Sequence, residues 1–457
     1  MASTFPGVIA FAFMVCMLLA GTALRARVPF LRRALVPASL VGGILGFALV
    51  SAGLSFGYES SDFTVFTFHF FTLSFMSLCL TGGSRAGGRN ASVVPGGMWM
   101  SVVWVVSLVT QGLVGLGALL GYNALTGGEL SSFLGLLATH GFTQGPGQAL
   151  AYASIWETEL GVVHAINFGV IYASAGFLVA FAVGVPVARH AIKAGRNVNR
   201  VARIDEEFQQ GILEPDADVS SGRQITHSAN IDTLAFHIAI LGVAYLVTDQ
   251  YLNFMRPIAD GWAIGDVNFG VLFSHNLFFV HGLMVCVIMR SLLDRFGLGH
   301  FIDDETQRRI TGTSVDFMVV ATIMSIHFAL LSEFILPILV VCLAVAAVTA
   351  VLCFGLGRRL PNLSAERSLT SFGCCCGSTG SGLLLLRIVD PDLSTSIAKE
   401  LAFYNIAIVV LSFHVLGFMA PILPSYDLTF ICGVYVATLI VGLIAVRLVT
   451  RRMSAAV

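Results

Sequence analysis

The stretch THGFTQGPGQA, from Thr139 to Ala149, interrupts a long apolar segment in the first half of the chain. Its proline lacks a backbone N–H, and each of its glycines costs about 1 kcal/mol in a helix interior, so we predict that a helix breaks here. A second stretch, SFGCCCGSTGSG from Ser371 to Gly382, breaks an apolar segment of the second half in the same way. These two breaks decide the predicted fold.

The composition is that of a membrane protein. Hydrophobic residues make up 56% of the 457 residues and charged residues only 11%, against about a quarter charged in a soluble domain. The apolar segments run for about 18 to 25 residues, the length with which a helix crosses about 30 Å of hydrocarbon. They lack the ten-residue alternation of a membrane β-barrel. We therefore predict an all-α integral membrane protein.

The positions of the basic residues predict the topology. If both broken segments enter the membrane and return to the same side, every loop with Lys or Arg lies on one face, except the loop with Arg256. Such an excess of basic residues marks the cytoplasmic side. Re-entry therefore predicts about eleven crossings and two re-entrant hairpins, with the N-terminus outside and the C-terminus cytoplasmic. If the first hairpin crossed instead, Arg196 and its basic neighbours would lie outside.

The crossings divide into two five-helix repeats, each with one hairpin. Because each repeat has an odd number of crossings, the second is inverted relative to the first, as in many secondary transporters. The predicted boundaries are 1–188 for the first repeat with its hairpin at 130–155, 189–232 for a cytoplasmic linker, 233–425 for the second repeat with its hairpin at 368–389, and 426–457 for one extra C-terminal transmembrane helix.

The breaks predict a polar site, because irregular backbone at membrane depth is stable only where protein or water satisfies its polar groups. Half-helix N-termini suit a carboxylate, whereas free carbonyls and hydroxyls suit Na⁺. The predicted substrate contacts are Thr143, Gln144, Gly145, Gly147, Gln148, Asn167, Gly377, Ser378, Thr379, Gly380, Ser381 and Asn405. The predicted Na⁺ ligands are Thr139, Gly141, Cys376 and Ser378.

Other interpretations of these features stay open. Glycines can serve close helix packing, as expected for the G-x-x-x-G pairs that begin at Gly42 and Gly117. Channels also use re-entrant segments, although two unlike hairpins in one chain favour alternating access. The sequence has no H-E-x-x-H motif and no pair of carboxylates near mid-membrane, so we expect no enzyme activity. His140, beside the first break, is a further candidate for ligand contact or proton transfer.

Four stretches of the chain form a recognisable set, namely Val36-Pro37 with Gly42-Gly43, the first hairpin, Gly184-Val185-Pro186-Val187-Ala188-Arg189, and Gly373-Cys374-Cys375-Cys376-Gly377 with Gly380. Together they resemble the bacterial sodium/glutamate symporter family. In the first loop that family usually has a G-G-H-G run, where this chain has Phe142-Thr143-Gln144-Gly145.

The resemblance implies a symporter that takes up glutamate, or a similar small carboxylate, with Na⁺ as the coupling ion. It further implies an elevator-like, alternating-access mechanism and a homodimer in the bacterial inner membrane. Two alternatives remain. One is a transporter for another organic anion, such as a di- or hydroxycarboxylate, coupled to Na⁺ or H⁺; the other is an ion channel.

Overall fold

A computed structural model of the chain describes residues 5–81, 93–199, 211–212, 222–227, 229–264, 267–391 and 393–455. These residues are mostly helical, with one antiparallel pair of two-residue strands, Ala263–Ile264 and Val267–Asn268. Nine helices in this part of the chain are long and apolar enough to cross a membrane. The prediction of an all-α membrane protein is confirmed at this level.

The first half folds into helices on either side of a break at Gly145. Gly145 has a φ of +81°, which favours glycine. Pro146 then begins the next helix, where its missing N–H breaks no helical hydrogen bond. In chain order the helices are α1 (Phe5–Arg27), α2 (Pro29–Ala34), α3 (Ala38–Ser51), α4 (Ser60–Leu80), α5 (Val93–Thr126), α6 (Phe133–Gln144), α7 (Pro146–Thr158) and α8 (Ala165–Lys193). Helices α6 and α7 form the first hairpin.

The second half breaks at Gly377 and Ser378. Its helices are α9 (Thr233–Ala259), α10 (Phe278–Arg295), α11 (Asp304–Met324), α12 (Phe328–Glu333), α13 (Ile335–Gly357), α14 (Ser364–Cys376), α15 (Thr379–Val389), α16 (Ile397–Phe413) and α17 (Leu428–Ala455). Helices α14 and α15 form the second hairpin. Beyond α16 the chain continues through a π-helical turn and a 3₁₀ turn, where Pro421 and Pro424 lack N–H donors.

The observed boundaries differ from the predicted ones. The hairpins occupy residues 133–158 and 364–389, because helical structure extends beyond the apolar residues that defined the predicted ranges. Helix α8 continues to Lys193, beyond the predicted start of the linker at residue 189. Within the predicted linker, residues 200–210, 213–221 and 228 lie outside the described part of the chain.

Two of the predicted crossings are not among the nine long apolar helices. Helix α3 has 14 residues, which rise about 21 Å, less than the hydrocarbon thickness. Helix α11 has 21 residues but begins with Asp304 and Glu305, followed closely by Arg308 and Arg309. The figure of eleven crossings therefore stays a prediction.

The helices pack in two groups. The six-helix group consists of α1, α3, α4, α9, α10 and α11, in which α4 packs on α10 and α11, α3 on α1 and α11, and α9 on α10. The hairpin group consists of α5 to α8 and α13 to α17, in which α5 packs on α6, α13, α16 and α17. The main contacts between the groups come from α7 and α8, which touch α4 and α11.

The core of the hairpin group is centred on α5, which is buried along most of its length. A helix that is apolar on all sides belongs in the interior of a bundle. Close packing through glycine is confirmed at Gly42 and Gly46, which both lie against Met17. The prediction of close packing is wrong for Gly117 and Gly121 within this chain, since no described atom lies within 4 Å of a Cβ built at either position.

Candidate functional site

Helix α8 lies along both hairpins. Near its start, Gly169 packs against Ala149 of the first hairpin, and near its end, Gly184 packs against Leu385 of the second. Between them, Gly176 contacts both hairpins. The two hairpins therefore extend along α8 from opposite ends and meet at the level of Gly176.

The tips of the two hairpins touch through glycine. A Cβ on Gly145 would lie 3.0 Å from the carbonyl oxygen of Gly377. A Cβ on Gly176 would lie 3.3 Å from the Cα of Phe142 in the first hairpin and would overlap the carbonyl oxygen of Cys376 in the second. Side chains at these positions would therefore separate the backbones that now meet.

Four helix ends converge where the tips touch. Helices α6 and α14 end there at Gln144 and Cys376, and helices α7 and α15 begin there at Pro146 and Thr379. The last carbonyls and first N–H groups of a helix lack partners in their own helix and carry partial charges of opposite sign. One buried region thus offers N–H donors to an anion and carbonyl oxygens to a cation.

Gln111 of α5 connects the two hairpins. Its side-chain nitrogen donates to the carbonyl oxygen of Cys375 at 2.9 Å and to the hydroxyl of Thr349 at 2.8 Å. Its side-chain oxygen lies 3.4 Å from the hydroxyl oxygen of Thr139. No sequence motif pointed to this fully buried residue, although an amide near the middle of a long apolar helix is itself a signal of function.

The two threonines of α6 are fixed by carbonyl groups. The Thr139 hydroxyl donates to the carbonyl of Leu108 at 2.7 Å, and the Thr143 hydroxyl donates to the carbonyl of Thr139 at 2.7 Å. Because each hydroxyl has one proton, both oxygens are left mainly as acceptors. This suits a cation ligand better than a donor to a carboxylate, which bears on the predicted role of Thr143 in substrate contact.

His140 and Gln144 are buried together on α6. The Nδ1 atom of His140 lies 3.0 Å from the Gln144 side-chain nitrogen, and the rings of Tyr152 and Trp156 pack against the imidazole. Among the described residues, neither Nε2 of His140 nor Oε1 of Gln144 has a hydrogen-bond partner. Unpaired buried polar atoms are rare, so these two atoms are candidates for contact with a polar ligand.

The remaining residues of the first break lie close to the tip. Gly141 packs against Tyr172 of α8, and Gly147 packs against the ring of Phe71 from α4. Gln148 is half-buried one residue beyond Gly147. The predicted site residues from Thr139 to Gln148 therefore lie on the two helices that meet at Gly145, but Gly141 and Gly147 face different neighbouring helices.

The second tip presents hydroxyl groups and one amide. Ser378 caps α15, its hydroxyl accepting from the N–H of Ser381 at 3.5 Å, and it is half-buried like Thr379 and Gly380. The Thr379 hydroxyl donates to the side-chain oxygen of Asn405 at 2.8 Å. Since that bond uses the oxygen, the amide nitrogen of Asn405 is the group left to donate to a ligand.

Asn167 lies apart from the other predicted site residues. It is the third residue of α8, about 14 Å of helix rise before Gly176. The N–H of its neighbour Ile166 donates to Glu157, near the end of α7, at 2.8 Å. Asn167 thus lies at the base of the first hairpin, and its role in substrate binding stays a prediction.

A buried ion pair lies at the base of the second hairpin, between residues that no sequence motif indicated. Arg367 of α14 donates to both carboxylate oxygens of Glu400 on α16, at 2.8 and 2.7 Å. The side chains are 4% and 0% exposed. Arg387, the basic residue of α15, is exposed.

These features define an integral membrane protein in which two broken helices meet inside the bundle. The family model for sodium/glutamate symporters matches residues 4–358, and the chain belongs to this family, which confirms the predicted resemblance. The matched range ends before α14, so the second hairpin lies beyond it.

Two curated relatives support the assignment. Over 237 residues the chain is 28% identical to the sodium/glutamate symporter of Escherichia coli (strain K12), and equally to that of Shigella flexneri. The alignment covers 50% of this chain and 54% of each relative. The chain thus aligns with about half the length of the curated relatives that it matches.

Proposed function

We propose that the chain is a sodium-coupled symporter that takes up glutamate or a similar small carboxylate. The observation that carries the proposal is the contact between the hairpin tips at Gly145 and Gly377, where four helix ends meet. Broken helices of this kind bind anions at their N-terminal ends and Na⁺ at freed carbonyls in secondary transporters. Membership of the sodium/glutamate symporter family supports the same substrate and coupling ion.

The residues present fit both ligands. The N–H groups at the start of α7 and α15, with Ser381 and the amide of Asn405, would bind the substrate carboxylate. The oxygens of Thr139 and Thr143, whose protons are already donated to carbonyls, would bind Na⁺ together with carbonyls at the ends of α6 and α14. Bound Na⁺ would supply positive charge beside the carboxylate.

The packing supports two inverted repeats. In the predicted repeats, α3, α4 and α5 correspond to α10, α11 and α13. Helix α4 packs on its counterpart α11 and α5 on its counterpart α13, while the contact of α3 with α11 is matched by that of α10 with α4. The extension of the hairpins along α8 from opposite ends supports entry from opposite sides of the membrane.

The same packing supports an elevator-like motion. The hairpin group contains the fourth helix, hairpin and fifth helix of both repeats, and the six-helix group contains the first three helices of each. A body that carries the whole site and has limited contacts with the rest can move as a unit. In this proposal the six-helix group is the static part. The family resemblance implies a homodimer in the inner membrane, and the positions of the basic residues imply that the N-terminus lies outside.

Two other functions are kept as alternatives. A transporter for a di- or hydroxycarboxylate, coupled to Na⁺ or H⁺, would use the same helix ends. A channel is disfavoured because the tips are buried against each other, with Gly145 and Gly377 in contact.

Uptake into proteoliposomes tests the proposal. Purified protein is reconstituted and offered labelled glutamate, malate or citrate, with and without an inward Na⁺ gradient. We expect glutamate uptake that requires the Na⁺ gradient and persists when the pH gradient is collapsed. Equal uptake with neither a Na⁺ gradient nor a pH gradient would exclude symport. Uptake of malate or citrate without uptake of glutamate would favour the first alternative, a transporter for di- or hydroxycarboxylates.

A further inference from the structure

A short segment after α8 crosses the base of the second hairpin. We call residues 197–199 the strap. The Asn197 side chain donates to the carbonyl of Asn199 at 2.5 Å, which shapes the strap, and to the carbonyl of Val389 at 3.4 Å. The backbone N–H of Val198 donates to the carboxylate of Glu366 at 2.6 Å. Since Glu366 lies on α14 and Val389 ends α15, the strap is bonded to both limbs of the hairpin.

Asp390 extends the attachment into the loop after α15. Its carboxylate accepts from the Asn199 side chain at 3.1 Å and from the backbone and hydroxyl groups of Ser394 and Thr395 at 2.6 to 3.0 Å. Burial alone raises the pKa of Asp390, but the hydrogen bonds from Thr395, Asn199 and Ser394 outweigh it and hold the pKa below its ordinary value. Asp390 is therefore ionised near neutral pH and accepts charge-assisted hydrogen bonds.

The strap is well placed to restrain the hairpin. Asn197, Glu366 and Asp390 are all buried, so their hydrogen bonds do not compete freely with water. The limbs of a hairpin that is bonded at its base on both sides cannot separate without breaking these bonds. The strap also connects directly to α8, against which the same hairpin packs.

We propose that the strap is a latch that keeps the second hairpin closed at its base, and that the hairpin opens only when the latch releases. This role rests on the proposed function, in which the second hairpin holds part of the transport site. In the predicted topology the strap lies on the cytoplasmic side. The latch would then control access to the site from the cytoplasm.

Native cysteines report on the opening of the hairpin. Cys374, Cys375 and Cys376 are free and fully buried in α14, and Cys286 is free and buried in the six-helix group. The purified full-length protein is treated with N-ethylmaleimide in detergent without substrate, and alkylation of each cysteine is followed by mass spectrometry. The readout does not depend on transport, so failure of the uptake assay and failure of the latch are distinguishable.

The test variant is Asn197→Asp/Asn199→Asp, which keeps the side-chain volumes. An aspartate at 197 cannot donate to Val389, and an aspartate at 199 would face the carboxylate of Asp390. We expect alkylation of Cys374 to Cys376 to become about tenfold faster, because hydrogen bonds to a charged group are lost. An unchanged alkylation rate of these three cysteines would contradict the proposal that the strap is a latch.

Two controls separate a local effect from general destabilisation. Equal acceleration at Cys286 would also overturn the proposal, since the six-helix group would then be opening as well. Thr226→Ala removes a bond to Thr233 at the other end of the linker, and we expect wild-type alkylation.

Glu366→Gln keeps an acceptor for the N–H of Val198, so we expect a smaller acceleration than in the double variant.

Discussion

The carbonyl oxygen of Gly377 lies 3.0 Å from the position that a Cβ would take on Gly145. Gly145 also has φ of +81° and ψ of −177°, a backbone conformation that is essentially restricted to glycine and costs other residues about 1 to 3 kcal/mol. Two independent requirements for glycine thus coincide at the contact between the hairpins. A side chain at position 145 would therefore meet both backbone strain and the neighbouring carbonyl.

We expect Gly145→Ala to reduce uptake to about a tenth of the wild-type rate or less, because the new methyl group both strains the backbone and pushes the tips apart. Uptake in proteoliposomes measures the effect. Gly121→Ala is the matched control, since no described atom lies within 4 Å of a Cβ there. Wild-type uptake by Gly145→Ala would show that the tip contact is not needed for transport.

Gln111→Leu removes the side chain that joins the hairpins. The carbonyl of Cys375 and the hydroxyl of Thr349 would lose their donor, and a buried polar group without a partner costs about 1 to 3 kcal/mol. We expect a lower melting temperature in detergent and slower uptake. Ser107→Ala, which removes only an acceptor at 3.2 Å from the Gln111 nitrogen, should change both far less. Equal effects of the two variants would argue against a bridging role for Gln111.

The ion pair of Arg367 with Glu400 predicts non-additive stability. Removing one partner leaves a buried charge uncompensated, which costs about 3 to 5 kcal/mol. We expect Arg367→Met and Glu400→Leu each to destabilise the protein strongly, and the double variant to be more stable than either single variant. Melting temperatures of all four proteins measure the coupling. Additive losses would show that the two side chains act independently.

The sequence predicted those parts of the fold that depend on local backbone preferences. Pro146 and the glycines around it cannot continue a helix, so the break and the hairpin at Gly145 followed from the residues themselves. The high share of apolar residues and the lengths of the apolar segments likewise predicted an all-α membrane protein. These features need no knowledge of which segments pack together.

The missed residues are those whose role depends on distant partners. Gln111 bonds to Cys375, and Arg367 bonds to Glu400, across separations that no short-range pattern reveals. Which glycines pack against another helix could not be predicted either. The Gly42 and Gly117 motifs look alike in the sequence, but among the described residues the first packs against another helix and the second does not, because packing is decided by tertiary structure.

The predicted topology can be tested by labelling from outside. Cysteines introduced one at a time at Glu59, Asp427, Arg196 and Arg452, which are all exposed, are treated with a membrane-impermeant maleimide in intact cells. We expect the first two to be labelled and the last two to be protected, since basic loops stay in the cytoplasm. The unsubstituted protein is labelled under the same conditions, and its signal, which comes from native cysteines, is subtracted as background. Labelling at position 196 would mean that the first hairpin crosses the membrane.

The groups that hold the negative charge of the substrate can be separated by substitution. Arg387 is exposed on α15, and its long stem allows the guanidinium to reach the membrane interface, so we expect Arg387→Lys to bind substrate as wild type does. Ser381 is buried at the start of α15, and Gln144 ends α6 at the first tip.

Because backbone N–H groups and neutral side chains would bind the carboxylate, we expect Ser381→Ala and Gln144→Ala each to weaken binding by about three- to tenfold, the loss of one hydrogen bond. Binding of labelled glutamate to the purified protein in detergent measures all three variants. Loss of affinity in Arg387→Lys, with the other two variants unaffected, would place the anion site at the guanidinium instead of at the helix ends.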